Sequence, residues 1–154
     1  MKKILIALDY NPSAQKIAEI GHDLAKSMKA DTILLHVVPD STYYASFDYS
    51  PIMGFGGFSN VIETDTNEEL MNRAQNYLDK SKLHLNDEMI ETVIKNGDVG
   101  EIILKTAIDL KVDVIVMGTH SRRWLEKILL GSVAEKVLSH SLLPVFIIPI
   151  KSAE

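Results

Sequence analysis

The chain has 154 residues, 46% of them apolar and 24% charged; this suits one domain with a real hydrophobic core and is unlike a disordered chain. A formal net charge of −5 is poorly matched to a phosphate backbone, so no nucleic-acid partner is expected. The absence of cysteine excludes disulfides, thiolate metal sites and a cysteine nucleophile.

Residues 3–8 (KILIAL) are apolar without alternation, the pattern of a strand covered on both faces. The run is too short for a signal-peptide core and Asp9 follows at once, so the expected compartment is the cytoplasm. No window is long and apolar enough to span a membrane, and no membrane partner is expected. Pro12 suits the first turn of a helix. Ala14, Ile17, Ala18, Gly21, Leu24, Ala25 and Met28 then recur at the steps of one helical face. Residues 32–38 (TILLHVV) form the second strand, closed by Pro39 and Asp40. Residues 41 to about 62 show no period. Within them, residues 43–58 (YYASFDYSPIMGFGGF) hold most of the aromatic side chains and read as a lid, a dimer contact, a partner surface, or a loop packing its rings on its own domain. The glycines at 54, 56 and 57 follow no strand and read as loop flexibility.

A second helix is expected over residues 66–84, with Leu70, Met71, Ala74, Tyr77 and Leu78 as its buried stripe. Residues 89–94 (MIETVI) alternate more and predict a third strand nearer a sheet edge. A turn at Asn96 and Gly97 leads to Asp98, which with Glu101 resembles a capping box. Val99, Ile102, Ile103, Thr106 and Leu110 give the next helical stripe, and residues 113–117 (DVIVM) the fourth strand. Residues 118–130 read as a loop with room for a helical turn. Residues 132–140 read as a short helix ended by Leu142, Leu143 and Pro144, and Val145–Ile148 as the fifth strand.

Strict alternation of strand and helix predicts an α/β fold: an open parallel sheet with helices on both faces. Such sheets bind ligands beyond the carboxyl ends of their strands, where the strand order reverses. That rule points to Asp9, Val37 and the loop that begins at Gly118. The usual phosphate-loop and dinucleotide glycine motifs are absent. One stretch stands out: Gly118-Thr119-His120-Ser121, nine further residues, then Gly131-Ser132. A helix N-terminus offers unpaired N–H groups and a positive dipole end, and glycine lets backbone approach phosphate oxygens closely. The same residues also read as a capping box, Ser132 with Glu135, and a turn at Gly118. Spacing alone leaves both readings standing.

Residues 112–149 (VDVIVMGTHSRRWLEKILLGSVAEKVLSHSLLPVFIIP) strongly resemble the C-terminal signature of the universal stress protein family, with GSVAEKVL the most specific block. The opening KILIALDYNPSA and the middle TILLHVV match the family's first two strands. The resemblance spans nearly the whole chain except residues 41 to about 63. It implies one domain with a Rossmann-like five-stranded sheet of order 3-2-1-4-5. One branch of the family binds ATP through G-x-x-G, a nine-residue gap and G-[ST]. Here that pattern is met at Gly118, Gly131 and Ser132, and Ser121 stands where the binding branch has glycine. The Cβ of Ser121 would obstruct a positive φ or crowd a phosphate, whereas its hydroxyl offers a donor.

The resemblance further implies a nucleotide site. Ala7 and Asp9 lie where the first strand ends, Asp9 facing the ribose. Val37 lines the adenine pocket. Met117 ends the fourth strand, Gly118, His120 and Ser121 follow it, and Gly131 and Ser132 open the last helix, with Met117 and Val133 flanking the phosphate segments. The implied cofactor is ATP, with or without Mg2+, and the implied assembly is a homodimer through Val145–Ile148. Read from the residues, Asp9 equally caps a turn or the first helix. His22, His36, His84, His120 and His140 lack metal-ligand spacing, so no metal site is expected. His36 reads as a packed strand-end residue. His120 reads as a phosphate contact or an exposed side chain, and Arg122, Arg123 and Lys127 as phosphate attractors or a solvated basic loop. No catalytic triad or carboxylate pair stands out, so catalysis is not expected. A non-nucleotide interaction module of the same fold and a weak ATPase are the competing readings.

Overall fold

Strand β1 (Lys3–Ala7) is the middle strand of a five-stranded sheet and pairs in parallel with both neighbours. The elements follow in the order β1, α1 (Ala14–Met28), β2 (Asp31–Val38), α2 (Asn67–Leu85), β3 (Glu91–Asn96), α3 (Val99–Asp109), β4 (Val114–Gly118), β5 (His120–Arg122), β6 (Lys127–Leu129), α4 (Gly131–His140) and β7 (Val145–Ile148). The sheet order is β3-β2-β1-β4-β7, all parallel. Counting only these five strands, this is the expected order 3-2-1-4-5 of a Rossmann-like sheet. The computed structural model describes residues 1–39, 66–122, 127–129 and 131–150, with backbone alone for 120–122 and 127–129. The aromatic stretch 43–58, its glycines and Arg123 lie outside the described residues, as do the side chains of His120, Ser121, Arg122 and Lys127.

The unbroken apolarity of β1 has a direct cause. Alternate side chains of a strand point to opposite faces, and here both faces are covered. Ile4, Ile6 and Leu8 join one core with Ala14, Ile17, Ala18 and Ala25 of α1 and Leu78 of α2. Leu5 joins the other with Ile33, Leu35 and Val37 of β2, Ile103 and Ala107 of α3, and Ala134 and Val137 of α4. Each fully buried Ile or Leu contributes roughly 1.5–3 kcal/mol of transfer free energy. β3 is an edge strand whose residues are only half-buried or exposed, as its weaker apolar pattern predicts.

Local chemistry sets the element ends. The Glu69 N–H donates to Thr66 Oγ1 (3.1 Å) and the Thr66 N–H to Glu69 Oε2 (3.3 Å), a complete capping box at the start of α2. Asp98 accepts the Glu101 N–H at 3.0 Å and also takes Lys136 Nζ at 3.0 Å, which ties α3 to α4. Those two donors, the N–H first, hold the Asp98 carboxyl below its ordinary range. Three expectations need correction. β3 starts at Glu91 rather than 89, because Asp87 Oδ1 accepts the Met89 N–H (2.9 Å) and folds that segment into a turn. The segment after β4 is an antiparallel ribbon, not a loop with a helical turn: His120, Ser121 and Arg122 pair with Leu129, Ile128 and Lys127. Strands this short leave no readable period. The last helix opens at Gly131, so Ser132 sits inside its first turn rather than at the capping position.

Candidate functional site

A cavity of about 390 Å3 lies over the carboxyl ends of β1, β2 and β4, where the strand order reverses direction. That volume is within the range of small-ligand sites. Ala7, Leu8, Asp9 and Tyr10 form its β1 side. Leu35, His36, Val37 and Pro39 form the β2 side. Met117 and Gly118 at the end of β4, with Thr119 after it, line the β4 side, and Gly131, Ser132 and Val133 line it from the start of α4. Ile17, Val99, Ile103, Ala134 and Ile150 complete the lining with apolar surface.

Of the residues singled out in the sequence, Ala7, Asp9, Val37, Met117, Gly118, Gly131, Ser132 and Val133 therefore border one cavity. His120 and Ser121 lie in β5, directly after the lining residue Thr119. Ser121 is opposite Ile128 in the ribbon, so its backbone is extended. Extended backbone has negative φ, and the idea that serine obstructs a positive φ at this position loses its footing.

The two glycines of the motif serve different needs. Gly131 has φ +78°, in the left-handed region where a Cβ is costly. Gly118 is required by space. A Cβ there would collide with Ile17 Cδ1 and come within 2.6 Å of Ile150 Cδ1. Both are ends of flexible side chains, so a larger residue would displace them rather than break the strand. Thr119 closes the same corner: its N–H donates to the Ile148 carbonyl (3.1 Å), and its hydroxyl oxygen accepts the Ile150 N–H (3.2 Å).

The β1 side is built from side-chain hydrogen bonds. Asp9 Oδ1 accepts the Asn11 N–H (2.9 Å), and Asn11 Oδ1 accepts the Ser13 N–H (2.8 Å), so two successive turns lead into α1. His36 is buried, as expected of a packed residue, but it also borders the cavity. Its burial pushes the imidazole below the ordinary 6.5, although the Leu8 carbonyl and the Asp9 charge pull upward. Tyr10 and Ile150 carry no site signal in the sequence pattern, and Thr119 stands out there only as part of the stretch from Gly118 to Ser121. Beyond that pattern, its place directly after Asp9 is the only pointer to Tyr10; Ile150 reaches the cavity through the chain's return along β7.

A Rossmann-like sheet with an open cavity over its switch point defines a class of small-ligand-binding α/β proteins. The family model described as the universal stress protein family matches residues 1–149, and the chain belongs to that family. It is 34% identical over 158 aligned positions to universal stress protein MJ0577 of Methanocaldococcus jannaschii, covering 99% of this chain and 97% of that one. The solved structure of MJ0577 superposes with a TM-score of 0.68 at 30% identity, covering 99% of this chain and 98% of that chain. A universal stress protein in complex with cAMP (TM-score 0.60, 18% identical, 96% and 95% covered) shares the fold. So does the Archaeoglobus fulgidus universal stress protein in complex with dAMP (TM-score 0.62, 18% identical, 96% and 97% covered).

Proposed function

We propose that this universal stress protein binds an adenine nucleotide, ATP foremost, in the cavity over β1, β2 and β4, and acts as a regulatory protein of the stress response by binding rather than by turnover. The carrying observation is Gly131: its φ of +78° opens α4 at the same cavity that Asp9 lines. A helix start at that point presents unpaired N–H groups to a phosphate, while a carboxylate bordering the same cavity suits sugar hydroxyls. Val37 and Met117 supply apolar surface for a base. Two proteins of the same fold hold cAMP and dAMP, and adenine and a phosphate are common to both and to ATP. Among the described residues no group of three or more His, Asp or Glu side chains is arranged to hold a metal ion. The Mg2+ of Mg-ATP would then travel on the phosphates.

Mass spectrometry of the purified protein after denaturation should detect adenine nucleotide, and calorimetry with Mg-ATP should give a saturable isotherm without phosphate release. No bound nucleotide together with no heat of binding would overturn the assignment. We further propose a single cytoplasmic domain that forms a homodimer by antiparallel pairing of β7. β7 is a sheet edge of four uncharged residues with Phe146 42% exposed. No helix among the described residues is long and apolar enough to cross a membrane. Sedimentation at micromolar concentration should give twice the chain mass; a monomer would sink the dimer.

A further inference from the structure

Two hydrogen bonds on the β1 side of the cavity hold backbone rather than ligand. His36 Nδ1–H donates to the Leu8 carbonyl at 2.7 Å. The Tyr77 hydroxyl, from α2, donates to the Asp9 carbonyl at 2.6 Å. A carbonyl oxygen only accepts, so both donors are unambiguous. The Tyr10 ring packs against both of the side chains that make these bonds, its centroid 4.4 Å from His36 and 4.9 Å from Tyr77. The Leu8 and Asp9 carbonyls belong to the two peptide planes that flank the Asp9 Cα. Peptide planes are rigid, so holding both of them sets the two soft dihedrals of Asp9. Those dihedrals decide the direction in which its carboxylate leaves the chain.

We propose that Tyr77, together with His36, is a positioning residue for the Asp9 carboxylate, and that helix α2 thereby tunes the sugar end of the nucleotide site. The inference rests on the nucleotide reading above. The Tyr77 hydroxyl keeps its proton, and so remains a donor, through the neutral range, because burial first, and then the Asp9 charge and Tyr10, push it up to about 12. The contact spans 68 residues of sequence, which makes it a tertiary coupling rather than a local turn.

The test is a double-mutant cycle by calorimetry with ATP on the full chain, using Tyr77→Phe, Asp9→Ala and the double variant. Tyr77→Phe keeps the ring and loses only the donor. It should weaken ATP binding about three- to tenfold while the thermal midpoint, measured in parallel, stays close to that of the unaltered protein. Because Tyr77 acts through Asp9, the double variant should bind no worse than Asp9→Ala alone. Additive losses, or undiminished affinity in Tyr77→Phe, would overturn the positioning role and leave the nucleotide reading intact. Absence of ATP binding by the unaltered protein would overturn both.

Discussion

The two long walls of the cavity are made of different material. On the β1–β2 side, side chains do the work: His36 and Tyr77 hold the backbone around Asp9, and Asp9 and Asn11 turn the chain into α1. On the β4–α4 side backbone dominates: Gly131 stands at positive φ, Gly118 has Ile17 and Ile150 packed where its Cβ would lie, and the Thr119 hydroxyl adds one side-chain bond by accepting the Ile150 N–H. A wall of side chains can be altered in small steps. A backbone wall depends on residues that lack a side chain, so almost any substitution there changes its shape.

The largest expected effect follows from that contrast. Gly131→Val puts a branched residue at a φ it avoids and fills space beside the cavity. Stability should fall by about 1–3 kcal/mol, and ATP affinity by roughly 100-fold or more in calorimetry. Gly131→Ala should lie between the two, and full affinity in that variant would break the backbone-wall account. On the other wall, Asp9→Ala should weaken ATP binding about ten- to hundredfold, the worth of a charge-assisted hydrogen bond. Asp9→Asn separates ligand contact from turn structure, because its amide oxygen still accepts the Asn11 N–H. It should therefore lose affinity with less loss of thermal midpoint than Asp9→Ala.

Acid should act on the side-chain wall first. Burial holds both His36 and His22 below 6.5 in the folded chain. The unfolded chain then binds more protons, so stability is full above about pH 6.5 and falls as pH drops below it, by at most ~1.4 kcal/mol per pH unit for each histidine. His22 sits away from the cavity, bonded to Thr32 (2.9 Å) and beside Asp87 (3.3 Å). Denaturant midpoints from pH 7.5 to 5 should show this slope, and His22→Gln should flatten part of it while ATP affinity at pH 7.5 is retained. An unchanged slope would remove His22 from the account. The smallest effect belongs to Ser121→Gly. With Ser121 already extended in β5, glycine relieves no positive-φ strain, and ATP affinity should change by less than about fivefold, the worth of one ordinary hydrogen bond. A tenfold gain would show that serine is strained after all.

Much of this architecture was readable along the chain. Unbroken apolar runs mark strands covered on both faces, and the three- and four-residue steps place α1, α2 and α3 within a residue or two of their observed ends. Gly118 and Gly131, which spacing alone left between a phosphate site and an ordinary turn and cap, line one cavity. Other local features escaped the pattern. Lys29 and Lys111 adopt left-handed backbone where glycine or asparagine would have signalled it. Ser132, which reads as a cap, lies within the helix because the turn falls on Gly131.

What the sequence determined by itself is therefore local and periodic: which segments are strands or helices, which faces are apolar, and which strand ends carry glycine or aspartate. These follow from sterics and burial acting over a few residues. What only the tertiary structure decided is how distant residues share one place. Tyr77 reaches the Asp9 carbonyl across 68 positions, and His36 reaches Leu8 across 28. Ile17 and Ile150 close over Gly118 from opposite ends of the chain. No periodicity encodes such meetings, because they exist only once β1 has been placed between β2 and β4 and the helices have been packed on the two faces of the sheet.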